Sequence, residues 1–427
     1  MLKRILKNNY ILNIISKICN LVFAVGASAF ITRFMGDSLK GEYAYITSFA
    51  AISSIFCNLG VYQAYPNQVK NGLENAKQKF VDVFFLQMAL CILLGAGILS
   101  VMYIVPQFAP QTLTALMIIL VTIFSMMSSQ IIMICMVEHP LFRSIAQIIT
   151  SFVNLIICAA VFFLVKTPNI IIPVIALLSK EALMIALILF KEKVLPKPWK
   201  ADLKLFAKLV GFGFLPMVTS LLLNVNYKMD VFMLKWLTTS ATVGVYSVGV
   251  YFADQIWLIP DSFKEVLFSR AVKVDARKSF NLSIKLSIVI TAFVCVLVAI
   301  FGKIGIYILY GTEFLNAYDS LLILLIGIPF MSIFKVISPL FITEGKTGRY
   351  FINLLCGVVI NFILNFTLIP NYGIYGAAIA TIASQMVCGI VALVMYKSGT
   401  DEKISQILIP SKSDIKAITQ LLKRKGK

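Results

Sequence analysis

The feature that most constrains this chain is a succession of about twelve long apolar stretches, separated by short polar breaks. A helix needs roughly 20 apolar residues to cross the hydrocarbon core of a bilayer, and these stretches are about that long. Lipid offers no hydrogen-bond partner to the backbone, so a chain with this many spans must be a helical bundle. We predict an all-α integral membrane protein with about twelve transmembrane helices. The predicted spans are 10–34, 43–66, 81–105, 113–137, 144–165, 171–190, 209–235, 244–264, 283–301, 319–343, 350–369 and 373–396.

Composition supports the bilayer as the solvent of this protein. Of its 427 residues, 59% are hydrophobic and only 13% are charged, whereas about 25% are charged in soluble domains. A net charge of +19 would suggest a nucleic-acid partner in a soluble protein. Here the basic residues flank the apolar stretches, where anionic lipid headgroups attract them. The sequence therefore predicts anionic membrane lipids as partners and excludes nucleic acid.

The basic residues fall almost entirely into alternate loops. One set of loops holds only Lys40, Lys166, Lys235 and Lys303, and the other set holds the remaining loop lysines and arginines, including those of both termini. Loops rich in Lys and Arg stay on the cytoplasmic side of a membrane. Both termini are therefore predicted to be cytoplasmic.

The longest internal basic loop, 191–208, follows the sixth predicted span and divides the chain in two. We predict an N-terminal six-helix bundle over 1–190, a cytoplasmic linker over 191–208 and a C-terminal six-helix bundle over 209–396. Residues 397–427 space isoleucines and leucines among lysines, a pattern typical of an amphipathic helix on the membrane surface. This last segment is predicted to be a basic cytoplasmic tail.

The two halves carry related features at corresponding helix ends. The same spacing separates Arg33 from Lys235 and Pro168 from Pro370. Gly41-x-Tyr43 follows the first of the basic residues, as Gly244-x-Tyr246 follows the second. These matches favour a parallel duplication, an arrangement that places a substrate site between two pseudo-symmetric halves around a central cavity.

Ionisable residues inside the predicted spans are the candidates for function, because a charge at the membrane centre costs about 2.5–3.5 kcal/mol and usually faces a bundle interior or a water-filled cavity. A cavity lined by cations suits a polyanionic headgroup such as pyrophosphate, since Lys supplies a point charge and Arg a bidentate fork. The two candidates nearest the membrane edges could instead snorkel to water. The five predicted cavity cations are Lys17, Arg33, Lys180, Lys228 and Lys335.

Other polar groups in the spans are predicted to line the cavity or to couple transport to an ion. The carboxylates among them either pair with the cations or bind a coupling proton or sodium ion, and the sequence leaves both alternatives open. These residues are Asn20, Glu181, Asn224, Asp230 and Asp254.

The chain has none of the signatures of a soluble catalytic centre. It contains no Gly-x-Ser-x-Gly, no phosphate-binding loop and no His-Glu-x-x-His, and its eight cysteines are not spaced as zinc ligands. We therefore predict no catalytic residue, no metal and no cofactor. Energy would come from an ion gradient, from consumption of product on the far side, or from no coupling at all. A membrane-embedded polymerase or glycosyltransferase is disfavoured because the predicted loops are too short for a catalytic domain.

Four short motifs follow one another in order along nearly the whole chain. They are Arg33-Phe34-Met35-Gly36 with Gly41-Glu42-Tyr43, Asp230 and Leu234 with Gly244-x-Tyr246, Gly345-Lys346-Thr347, and Pro370-Asn371-Tyr372-Gly373 with Gly376-Ala377-Ala378.

In these motifs the chain resembles the oligosaccharide flippases of bacterial polysaccharide biosynthesis, the O-antigen-type translocases. They belong to the multidrug/oligosaccharidyl-lipid/polysaccharide exporter superfamily. The resemblance implies alternating access that moves an undecaprenyl-pyrophosphate-linked oligosaccharide, such as an O-antigen repeat unit of lipopolysaccharide, from the cytoplasmic to the periplasmic leaflet of the bacterial inner membrane. It also implies a polysaccharide polymerase and a chain-length regulator as partners.

Two departures concern the neighbouring branches of that superfamily. Lipid II flippases, which the chain resembles distantly, usually carry more spans than the twelve predicted here. Ion-coupled drug exporters often place a carboxylate in the first helix, and residues 1–36 contain none. This absence weakens the drug-export hypothesis, and a cation-coupled multidrug antiporter stays the alternative to the flippase hypothesis.

Overall fold

The computed structural model describes residues 9–104, 111–195, 197, 202–270, 276–398 and 403–408. Within these ranges the secondary structure is helical, without a strand. The helices are α1 (Asn9–Asn58), α2 (Val61–Lys70), α3 (Ala76–Ile104), α4 (Thr112–Glu138), α5 (Pro140–Leu164), α6 (Ile171–Glu192), α7 (Leu203–Leu237), α8 (Ser240–Gln255), α9 (Leu258–Arg270), α10 (Ala276–Tyr310), α11 (Ala317–Thr343), α12 (Thr347–Lys397) and α13 (Ile404–Leu408).

Nine helices of the described part are long and apolar enough to cross a membrane. They are α1, α3, α4, α5, α6, α7, α10, α11 and α12. The predicted all-helical membrane class is confirmed at this level.

Two of these nine helices contain a glycine whose backbone is not helical. Gly36 in α1 has φ 68°, and Gly373 in α12 has φ 51°. Positive φ is open to glycine without the penalty that a Cβ brings, so each glycine permits a sharp change of direction. Each kink separates two predicted spans, 10–34 from 43–66 and 350–369 from 373–396.

Three boundaries differ from the prediction. The predicted span 43–66 breaks after Asn58, because Leu59 and Gly60 both adopt positive φ. The predicted span 244–264 is divided into α8 and α9 at Ile256 and Trp257. The predicted loop 302–318 is wrong in its first half, since α10 stays helical to Tyr310. Most of the predicted tail 397–427 lies outside the described residues.

The described chain separates into two compact units. The first contains Met1–Ser247 and Ile308–Phe314, and the second contains Val248–Tyr307 and Leu315–Lys427. Helix α7 belongs to the first unit, although it follows the predicted linker 191–208. The division of the chain into two six-helix bundles at that linker stays a prediction.

Small residues let helices approach closely within each unit. In the first unit, Ala27 and Ile31 of α1 pack with Cys158 of α5 and Ala176 of α6. In the second unit, a Cβ on Gly389 of α12 would overlap the backbone of α11. Such contacts are typical of helices in lipid, where close van der Waals packing replaces a hydrophobic driving force. The eight cysteines are free thiols, and six of them are buried.

Candidate functional site: buried cations and two ionic clusters

The ten predicted site residues are divided between the two units. Asp254 and Lys335 lie in the second unit. The other eight lie in the first unit, on α1, α6 and α7: Lys17, Asn20, Arg33, Lys180, Glu181, Asn224, Lys228 and Asp230. A single cavity lined by all five cations stays a prediction.

Two lysines of the first unit, on α1 and α7, act on each other electrostatically. Lys40 of α1 is only 8% exposed. Its Nζ lies 5.6 Å from the ring centroid of Tyr43, a cation–π arrangement. The positive charge of Lys228 on α7 is close enough to act on the Lys40 ammonium. Lys40 is buried and Lys228 is partly buried, so water screens their mutual repulsion only in part, and this place favours an anion that both can reach.

Lys40 was missed by sequence reasoning, which placed it in a loop. The kink at Gly36 instead makes Lys40 part of the first turns of the second half of α1. A signal was available, because Gly36 lies only four residues earlier and the segment between contains a single carboxylate, Asp37. The sequence could therefore have placed Lys40 at a helix start rather than in a loop.

Lys180 and Glu181 of α6 face other helices of the first unit. Both are partly buried. The charge of Lys180 acts on the Cys158 thiol of α5, and the Glu181 carboxylate acts on the Tyr43 phenol of α1. Tyr43 thus lies between Lys40 and Glu181, and this arrangement extends the charged region across α1, α6 and α7.

Asp230 is a buried carboxylate with an identified donor. The Tyr246 hydroxyl donates to its Oδ2 at 2.6 Å, and the backbone N–H of Val231 donates to Oδ1 at 2.8 Å. Asp230 is only 2% exposed. Through the Tyr246 hydrogen bond, Asp230 joins α7 to α8.

Arg33 is exposed and holds backbone carbonyls. Its Nε donates to the carbonyl of Leu309 at 2.9 Å, and its Nη2 donates to that of Ile308 at 2.6 Å. The last carbonyls of a helix have no helical partner, and cations are favoured there. The guanidinium has five N–H donors, so these two bonds leave part of it for another acceptor.

The remaining polar residues of the first unit differ in how they are satisfied. The Asn224 side chain donates to the Ser220 carbonyl at 2.9 Å. The Asn20 Oδ1 is buried, and no hydrogen-bond donor reaches it from the described residues. Lys17 on the same helix is partly buried.

In the second unit, Lys335 forms a compact cluster with acidic and aromatic side chains. Its Nζ lies 3.1 Å from each carboxylate oxygen of Asp261 and 4.5 Å from the ring centroid of Trp257. The Trp257 Nε1 donates to Asp254 at 3.0 Å. Sequence reasoning missed Asp261, which lies in the α9 part of a predicted span. Lys335 is thus held by a carboxylate of its own unit.

At the start of the second half of α1, just after the Gly36 kink, a cluster joins the first and second halves of the sequence. A Cβ on Gly41 would overlap the carbonyl of Ser240, and a Cβ on Gly244 would overlap that of Asp37. The Lys235 ammonium contacts the Glu42 carboxylate, to which the Ser240 hydroxyl also donates at 2.7 Å. We name this set the glycine crossing: Gly41, Glu42, Lys235, Ser240 and Gly244.

A second ionic cluster lies beyond the other end of that helix. The buried Glu192 carboxylate accepts from Lys77 at 2.8 Å and contacts His139 Nδ1 at 2.7 Å. Lys77 also contacts Glu138 at 3.2 Å, and the Tyr65 hydroxyl donates to Glu138 at 2.7 Å. We name this set the Glu192 network: Tyr65, Lys77, Glu138, His139 and Glu192. His139 is itself partly exposed, and it contacts a carboxylate that is fully buried.

Within the described ranges, no group of three or more His, Cys, Asp or Glu side chains is arranged to hold a metal ion. The charged groups present are partly buried cations and interhelical ion pairs. Membrane-length helices that enclose such charges define a multi-pass membrane protein.

The chain belongs to the polysaccharide biosynthesis protein family, whose model matches residues 6–273. A second family model, MatE, matches residues 270–367. The predicted family is confirmed, and the protein is a polysaccharide biosynthesis transporter of the superfamily named above. No curated protein matches the sequence.

Solved structures share the fold at low sequence identity. The lipid II flippase MurJ, in an inward closed conformation, has a TM-score of 0.69 at 17% identity, over 93% of this chain and 88% of that one. A multidrug resistance MATE family transporter, inward-facing, has a TM-score of 0.64 at 12% identity, over 93% and 98%. A Pyrococcus furiosus transporter of the superfamily, whose reversed pocket polarity suggests a different function, has a TM-score of 0.58 at 12% identity, over 95% and 98%.

Proposed function

We propose that this protein is a flippase that moves an undecaprenyl-pyrophosphate-linked oligosaccharide, such as an O-antigen repeat unit, from the cytoplasmic to the periplasmic leaflet. Family membership supports a role in polysaccharide biosynthesis. The difficulty such a protein overcomes is physical, since two phosphates and a polar glycan are very costly to place in hydrocarbon.

The observation that carries this proposal is the pair formed by the buried Lys40 and the partly buried Lys228. Two ammonium groups that act on each other within membrane-length helices match the two phosphates of a pyrophosphate. Lysine binds phosphate as a point charge without strict geometric demands, which suits a headgroup that must also be released. Lys180, Lys17, Arg33 and Lys335 are proposed as further cavity cations that the pyrophosphate meets along its path.

The proposed architecture has twelve spans in two six-helix bundles. The kinks at Gly36 and Gly373 divide α1 and α12 into two helices each, and α8 with α9 supplies a further apolar segment. Both termini are proposed to be cytoplasmic in a bacterial inner membrane, with 397–427 as a basic tail on the same side. The proposed macromolecular partners are a polysaccharide polymerase and a chain-length regulator.

The glycine crossing is proposed as the periplasmic gate of an alternating-access cycle. Its residues flank the predicted loops of Lys40 and Lys235, which belong to the set assigned to the outside. Backbone contact at Gly41 and Gly244 closes that end in this conformation. Opening the gate would break the Lys235–Glu42 pair, which is partly exposed and therefore weak enough to exchange.

A reconstituted flipping assay tests this function. Purified protein is placed in liposomes with undecaprenyl-pyrophosphate oligosaccharide, and exposure of the glycan to an external sugar-modifying enzyme is followed. Replacing both lysines (Lys40→Gln with Lys228→Gln) should slow exposure at least tenfold, since a hydrogen bond to a charged group contributes about 1.5–3 kcal/mol. The exposed Lys166→Gln is the matched control and should flip at the wild-type rate.

No exposure by the wild-type protein, with or without a proton or sodium gradient, would overturn the proposal. The alternative is then a cation-coupled multidrug antiporter, which the MatE match over residues 270–367 favours. Asp254 and Glu181, with Asn20, Asn224 and Asp230, would supply the ion-coupling and cavity groups in that case. Gradient-driven efflux of a cationic dye, lost in Asp254→Asn, would support the antiporter.

A further inference from the structure

An elongated apolar pocket lies within the first unit, against the face of α7 that carries Lys228. Its volume is about 400 Å³. It is bounded by the second half of α1 and by α3, α4 and α7, and Phe49, Gly95, Ile118 and Phe232 represent these four helices on its wall. The wall is almost entirely aliphatic and aromatic, and Thr122 on it donates its hydroxyl to the Ile118 carbonyl at 2.7 Å. Cavities of this chemistry stay dry and take apolar ligands.

The pocket has the shape of a channel for a chain. The lining residues of α7 are Leu221, Val225, Phe232 and Trp236, which recur on one face of that helix. With a rise of 1.5 Å per residue, this stripe extends about 22 Å along the helix. A length of that order is most of the roughly 30 Å hydrocarbon core. A compact ligand would contact only part of it.

One edge of the pocket is open. Phe56 is 36% exposed and Trp236 is 47% exposed, so the wall reaches the surface of the protein between α1 and α7. Phe232 packs edge-on against Phe49 with ring centroids 5.7 Å apart, which holds the aromatic side of the opening in place. A chain can therefore enter sideways from lipid.

Lys228 lies on the same face of α7 as the apolar stripe. It is three residues after Val225 and four before Phe232, both of which line the pocket. A partly buried cation thus lies along this stripe of α7, and its charge acts on Lys40 of α1. The site thus places two positive charges, enough for a diphosphate, beside an apolar surface long enough to hold a hydrocarbon chain.

We propose that this pocket holds the polyprenyl chain of a polyprenyl diphosphate while Lys40 and Lys228 hold its phosphates. The inference rests on the proposed function and adds a place for the tail. A membrane phospholipid also combines a phosphate with apolar chains, but its phosphodiester carries one negative charge. Two neighbouring lysines match a diphosphate better.

Photo-crosslinking of the full-length protein in nanodiscs tests the site. The two probes are a diazirine-bearing undecaprenyl diphosphate without glycan and a diazirine-bearing phosphatidylglycerol, and labelled peptides are mapped by mass spectrometry. The prenyl probe should label the peptides of Phe56 and of Phe232 to Trp236, and unlabelled undecaprenyl diphosphate should displace it.

Two glycines of α3 supply a matched pair of variants. A Cβ on Gly95 would enter the pocket with only Ile119 nearby, at 3.9 Å, whereas Gly97 faces open space on the exposed side. Gly95→Leu should therefore fill the pocket and reduce prenyl labelling about tenfold, a change of ~1.4 kcal/mol. Gly97→Leu should leave it unchanged. Ser53→Leu, from the α1 side of the wall, gives a second filling variant if Gly95→Leu does not fold.

Equal labelling by phosphatidylglycerol that undecaprenyl diphosphate does not displace would overturn the proposal in favour of a phospholipid site. Prenyl labelling that neither filling variant reduces would overturn it as well. The wild-type flipping assay separates this inference from the proposed function. Labelling without flipping refutes the function and keeps the pocket, and flipping without labelling refutes the pocket alone.

Discussion

The glycine crossing and the Glu192 network are both ionic clusters of the first unit, at opposite ends of the second half of α1, and they are built in contrasting ways. The crossing joins α1 to α7 and α8, which come from different halves of the sequence. Its Lys235 and Glu42 side chains are 22% and 30% exposed. The Glu192 network joins only helices of the first half, through a carboxylate with no exposure.

This difference indicates which cluster is made to open. An ion pair that keeps access to water gains little from forming and loses little on breaking, so the crossing suits a gate. A buried carboxylate leaves an uncompensated charge when its partner is removed, so the Glu192 network suits a permanent join. The first half of the chain would then move as one body while the crossing opens and closes.

The largest effect is expected from crowding the glycine contact. In Gly244→Leu the side chain would overlap the Asp37 carbonyl, which is backbone and cannot rotate away. We expect that α1 and α8 can no longer come into contact at the glycine crossing and that flipping is lost in the liposome assay. Overpacking of this kind costs about 1–3 kcal/mol or more. Gly211→Leu on α7 is the control, since its Cβ meets nothing within 4 Å. Wild-type flipping by Gly244→Leu would rule out a gate that depends on this contact.

The Glu192 network should respond in stability rather than in transport. Lys77→Met leaves the Glu192 carboxylate buried with fewer partners, and we expect a loss of about 3–5 kcal/mol in the free energy of unfolding. The measurement is thermal unfolding in detergent, compared with Lys79→Met, a neighbouring lysine. The rate of flipping per folded molecule should not change. If Lys77→Met keeps full stability but flips at a different rate, the Glu192 network takes part in the transport movement. It would then not be a permanent join.

The smallest effect on stability is expected at the Lys235–Glu42 pair. Lys235→Glu alone places two carboxylates together and should lower stability by about 1 kcal/mol or less, because both side chains reach solvent. It should nevertheless expose Ser240, replaced by Cys, to an impermeant thiol reagent on the outer side. Adding Glu42→Lys should restore protection. If the double variant labels as fast as the single one, the charges do not hold the crossing closed.

Sequence patterns predicted the helical membrane class, and the motifs that carry the resemblance led to the correct family. Helix boundaries were predicted best where a long apolar run ends at a lysine, as α5 does before Lys166 and α6 does near Lys191. They were predicted worst at 244–264, where hydropathy continues through the break at Ile256 and Trp257. Hydropathy measures transfer to lipid and does not register a local change of backbone direction.

Sequence patterns predicted only some residues of the candidate site. Lys228 and Lys180 could be found because charge inside an apolar run is rare. Lys40 could have been placed at a helix start, but its burial could not be predicted, since that depends on helices far away in sequence. Asp261 was likewise hidden, because its contact with Lys335 joins two helices separated by α10.

By itself the sequence determined that the chain lives in a bilayer, that it is helical and to which family it belongs, because apolar run length and short motifs are local properties. The tertiary structure alone decided which charges meet, which glycines allow backbone contact and where an apolar pocket is left open. The physical reason is that a buried charge or a close contact depends on several distant helices at once, and one segment contains only one side of it.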